Sequence, residues 1–136
     1  MSAENAYSNY CLKGFEVAQQ YAARAQELYG RNRQQLEEAE VPARDQLQQI
    51  MASWQRALSE AGNGDDAQQR AASAWLDHAR QYGQVISKHQ NSVGQTMKDL
   101  SEQLASAYDE AQQKARANFS DYLADLQALA SGKSDE

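Results

Sequence analysis

Apolar residues recur along the second half of the chain at intervals of eleven, and Trp75, Ile86, Met97, Tyr108 and Phe119 form one such row. A second row holds His78, His89, Leu100, Ala111 and Tyr122, and a third Tyr82, Val93, Leu104, Ala115 and Leu126. Eleven residues make close to three turns of an α-helix, so each row returns to nearly the same angular position and the three form one stripe. The pattern predicts a helix over about residues 66–130, roughly 97 Å long at ~1.5 Å per residue. It also predicts that something covers the stripe.

The first half shows three- and four-residue steps through Tyr7, Cys11, Ala18, Tyr21, Ala22, Ala25, Leu28, Tyr29, Leu36 and Ala39. That spacing predicts a helix over about 3–40. Pro42 either kinks a continuing helix or occupies the first turn of a new one, and it pushes Val41 out of helical geometry. Residues 43–61 are expected to be helical, with Leu47, Ile50, Met51, Trp54 and Leu58 forming, with Tyr21, Leu28, Tyr29 and Leu36, a secondary apolar face.

Gly62-Asn63-Gly64-Asp65-Asp66 is the strongest break. A glycine suits the left-handed position after a helix, and acidic residues favour the positive end of the next one. A turn at 62–66 makes the chain an all-α antiparallel helical hairpin or elongated bundle, one domain over 1–132 with a polar tail at 133–136. A second break near Asn91–Gly94 would give a compact four-helix bundle instead. Gly83 and Gly94, flanked in register by Ala72 and Ala105, form a row of small residues that lets another helix approach closely. The eleven-residue period favours a straight or slightly right-handed coiled-coil-like arm. A two-helix hairpin covers only part of the stripe, so a homo-oligomer is expected.

The formal net charge of −6 and the absence of a Lys/Arg cluster weigh against nucleic acid. The same balance disfavours an anionic membrane, whose amphipathic-helix ligands carry a basic polar face. An uncharged apolar partner remains open. No basic segment followed by an apolar run opens the chain and no long apolar stretch occurs, which predicts a cytoplasmic protein.

Candidate chemistry is sparse. His78 and His89 share a row, but eleven helical residues separate their Cα atoms by roughly 16.5 Å, too far for one metal ion. No Glu-x-x-His pair occurs, Asp77 and His78 point about 100° apart on a helix, and Cys11 lies in the apolar register of the first helix. No catalytic residue, metal site or cofactor is expected. Aromatic residues concentrate on or beside the apolar faces, where Tyr and Trp suit a boundary between apolar matter and water. That placement fits either the sealed edge of a bundle or a surface-binding face.

Two segments, Phe15–Glu38 (FEVAQQYAARAQELYGRNRQQLEE) and Trp75–Gln103 (WLDHARQYGQVISKHQNSVGQTMKDLSEQ), resemble the phasins, helical bacterial proteins that coat polyhydroxyalkanoate storage granules. The likeness lies in their Gln- and Ala-rich helical grammar and in Ala79-Arg80-Gln81-Tyr82 followed by Ser, Gln and Glu. It implies a non-enzymatic, oligomeric, granule-associated protein that adsorbs to a hydrophobic polyester and limits coalescence. The basic Ala-, Lys- and Pro-rich tail of some relatives is missing, which argues against binding the nucleoid. The rival expectation is a soluble scaffold or adaptor whose stripe is consumed by self-assembly. A secreted helical-hairpin effector is disfavoured by the missing Trp-x-Gly in the turn.

Overall fold

A computed structural model describes residues 1–132; the expected tail at 133–136 lies outside the described residues. Two helices, α1 (Ala3–Ala61) and α2 (Ala67–Ala130), pack against each other as a helical hairpin, and no strand occurs among the described residues. Ser2 opens α1: its hydroxyl accepts from the Asn5 amide at 3.1 Å and its carbonyl from the Ala6 amide at 3.0 Å. These bonds satisfy amides that a helix start leaves without partners.

The stretches expected at 3–40 and 43–61 are one helix: of the two courses open at Pro42, the chain takes the continuing one. Proline removes one intrahelical bond and crowds the preceding turn. Two circumstances hold the helix together. Leu36, Ala39, Ala43 and Leu47 are half-buried on both sides of it, so packing extends across the weak point. Pro42 itself is exposed, where water can reach the loosened turn. Ion pairing from Arg44 to Glu40 at 2.8 Å and the Gln34–Glu38 hydrogen bond at 3.0 Å brace the neighbouring turns.

The turn occupies 62–66. Gly62 has φ 67°, a conformation a Cβ would strain. Arg70, one turn into α2, donates to the Ala61 carbonyl at 2.6 Å. A cation therefore meets the negative end of α1 from the partner helix. α2 continues through Gly83 and Gly94 without the break that a four-helix bundle needs. Two residues past its end at Ala130, Gly132 has φ 71° and its amide donates to the Leu129 carbonyl at 3.2 Å.

The chain divides into two compact units. The terminal unit contains Met1–Arg31 and the described residues 100–132; the turn unit contains Asn32–Asp99.

Candidate functional site

Burial reveals an eleven-residue seam in α1 as well. Ala6, Val17, Leu28, Ala39, Ile50 and Ala61 form one buried or half-buried row, and Tyr10, Tyr21, Asn32, Ala43 and Trp54 form the next. Gly14, Ala25, Leu36 and Leu47 complete it, whereas Leu58, in the same register, is exposed. Of the secondary apolar face, Tyr21, Leu28, Leu36, Leu47, Ile50 and Trp54 thus enter the seam, while Tyr29, Met51 and Leu58 stay outside.

On α2 the contact face is rotated from the expected stripe. His78, His89, Leu100, Ala111 and Tyr122 are its middle row, all at least half-buried. On one side lie Val93, Leu104 and Leu126, half-buried, with Tyr82 of the same row exposed. On the other lie Ala74, Val85, Thr96, Ala107, Asn118 and Leu129, a row that hydrophobicity alone does not single out. Trp75, Met97, Tyr108 and Phe119 form the edge of the seam, where they meet Trp54, Asn32, Tyr21 and Tyr10 of α1, and are still about half exposed, from 47% for Met97 to 55% for Trp75; only Ile86 of that row is half-buried. The far flank, by contrast, is polar: Arg70, Gln81, Ser92, Gln103, Lys114 and Asp125. The hairpin therefore has sides of different chemistry in each unit.

In the terminal unit, the apolar side is an aromatic cluster. Tyr10 stacks on Tyr122 with centroids 4.8 Å apart and meets Phe119 edge-on at 6.1 Å, while Tyr7 meets Tyr122 at 6.3 Å. Such ring pairs add about 0.5–1.5 kcal/mol beyond the area they bury. Asn118, buried beside them, donates from Nδ2 to the Tyr10 carbonyl at 3.0 Å. A buried amide that needs one particular carbonyl fixes how the helices slide past each other. On the polar side Lys114 reaches both Gln20 and Glu110 at 3.3 Å. Glu27 is held below the usual carboxylate range by a hydrogen bond from Arg24 and by the nearby Arg31. Cys11 is exposed, and its thiol beside Tyr7 raises that phenol's pKa.

In the turn unit, the apolar side opens into a groove of about 360 Å³ lined by Leu47, Ile50, Met51, Trp54, Trp75, His78, Ala79 and Tyr82. Trp54 and Trp75 meet edge-on at 5.1 Å, and Trp54 lies 5.8 Å from the His78 ring. His78 Nδ1 donates to the Ala74 carbonyl at 2.6 Å, so its bond goes to its own helix and not to Asp77. The opposite side is a smaller cleft, about 160 Å³, where Pro42 and Gln46 face Lys88 and His89. Asn32 sits in the seam with Nδ2 3.7 Å from the Met97 sulfur and no hydrogen bond to Oδ1. Gly83 and Gly94 face open space, so the small-residue row takes no part in packing within the chain.

No group of three or more His, Cys, Asp or Glu side chains is placed to hold a metal among the described residues. No described helix is long and apolar enough to cross a membrane. No family model, curated protein or solved structure matches the chain.

Proposed function

We propose that this chain is a non-enzymatic coat protein that binds the surface of hydrophobic polyhydroxyalkanoate granules and limits their coalescence, as its resemblance to the phasins implies. One observation carries the reading: the row Trp75, Met97, Tyr108 and Phe119 stays about half exposed beside the seam, although these are among the largest apolar side chains of α2. Within each unit large apolar side chains stay in water on this flank, Trp75 with Tyr82 in one and Tyr108 with Phe119 in the other, and such exposed apolar area suits an interaction surface. An acidic protein with no basic stripe favours an uncharged support over nucleic acid or anionic lipid. The carboxylates left facing water would keep coated particles apart.

Co-sedimentation with polyhydroxybutyrate particles tests the proposal. Binding well above that of an equally acidic helical control is expected, with a change in tryptophan emission on adsorption. Binding no greater than the control's removes the coat reading.

A second reading has its own support. Gly83 and Gly94 lie exposed, with nothing within 4 Å of where a Cβ would sit, in line with Ala72 and Ala105. A helix from another copy could approach closely there, making a soluble scaffold whose apolar row is consumed by self-assembly. Sedimentation velocity distinguishes the two: the scaffold is a closed oligomer indifferent to particles.

A further inference from the structure

The groove of the turn unit carries polar chemistry that adsorption to a surface leaves unused. Its walls include Leu47, Met51, Trp54, Trp75, His78 and Tyr82, and its volume of about 360 Å³ lies within the range of small-molecule sites. No Asp, Glu, Lys or Arg lines it. A charged ligand would lose hydration there and find no counter-charge in return. The ligand is therefore neutral and largely apolar.

His78 narrows the class further. Its Nδ1–H is committed to the Ala74 carbonyl, and a ring with its proton on that nitrogen presents Nε2 as an acceptor. No described residue bonds to Nε2. The same wall carries the indole N–H groups of Trp54 and Trp75 and the Tyr82 hydroxyl, so a neutral group that both donates and accepts suits it better than one that only accepts. We propose that the groove binds a neutral aliphatic alcohol, with the chain against Met51, Trp54 and Trp75 and the hydroxyl donating to His78 Nε2. The groove shares Trp75 with the row proposed for adsorption, but alcohol binding is read without particles and co-sedimentation without alcohol, so either can fail without the other.

Trp54 and Trp75, the only two tryptophans of the chain, both line the groove and report on it directly. The full chain, at low concentration and neutral pH, is titrated with 1-octanol, octyl methyl ether and octanoate while tryptophan emission is followed. 1-Octanol should shift emission saturably. The ether, which lacks the donor, should bind roughly fivefold more weakly, and octanoate roughly tenfold more weakly or worse. His78→Phe should abolish the preference for the alcohol over the ether while leaving chain binding and helical circular dichroism intact. If that variant loses helicity, Ala79→Glu, at an exposed position on the groove wall, should weaken 1-octanol roughly tenfold in a folded protein. Absence of a saturable shift, or equal response to alcohol and octanoate, overturns the proposal. So does emission that follows protein concentration and ignores 1-octanol, which would place a second copy in the groove.

Discussion

The terminal unit and the turn unit are built from the same eleven-residue grammar, yet they are packed differently. Ala6, Leu28, Leu100 and Asn118 are buried in the terminal unit, Leu28 to 1% exposure, whereas Ala61 alone reaches that class in the turn unit. The difference follows from what each seam holds. Leu28, Leu100 and stacked Tyr rings close the terminal unit, while Asn32, Ala43, His78 and His89 leave the turn unit half-covered with a groove at its side. Similar periodicity can thus specify a tight joint or an open one, according to the size and polarity of the residues on the middle rows.

Charge placed in the tight joint should have the largest effect. Leu100→Glu should unfold the terminal unit, because a buried carboxylate has no partner there. Met97→Glu, three residues earlier on the half-exposed flank, should leave helicity intact and weaken particle binding or self-association. Lys98→Ala with Asp99→Ala should change stability by no more than about 0.5 kcal/mol. Circular dichroism with co-sedimentation separates the three, and equal loss of structure from Met97→Glu and Leu100→Glu would contradict the seam.

Cavity formation offers the next test. Leu28→Ala should cost about 3 kcal/mol by urea denaturation, while Ile50→Ala, a deletion of the same size at a half-covered site, should cost about 1.5 kcal/mol. Matching costs would mean that the turn unit is as tightly packed as the terminal one. At the turn, Arg70→Ala removes the bond to the Ala61 carbonyl and should cost about 1 kcal/mol in the same assay.

Glu27 supplies the smallest effect. Its carboxyl is depressed from the ordinary value of 4.5 by Arg24 and Arg31, so its contribution is present above that value and lost as pH falls through the lower folded pKa. The difference in urea midpoint between the parent and Glu27→Gln should therefore be small at neutral pH and vanish in acid. A difference that grew on acidification would contradict this sign.

Much of the architecture was legible from local chemistry. Gly62 and the acids after it define the turn, and the unbroken rows from Trp75 to Leu126 define a long helix despite Gly83 and Gly94. The proline was harder to read, because local propensity argues for a stop at Pro42 while packing at Leu36, Ala39, Ala43 and Leu47 carries the helix through it. The α1 seam was obscured because alanine, glycine and asparagine occupy many of its positions. Small and polar residues give little hydrophobic contrast, although their eleven-residue spacing is present in the chain.

By itself the sequence determined an all-α chain, the site of its reversal and the angular width of its apolar stripe, because these follow from helix periodicity and turn chemistry. Only the tertiary structure decided which part of that stripe becomes seam. Two facing helices can bury a limited arc, and the inter-helix bond of Asn118, the bond from Arg70 to Ala61 and the fit of small residues select the arc centred on the His78 row. That choice leaves Trp75, Met97, Tyr108 and Phe119 at the edge, half in water.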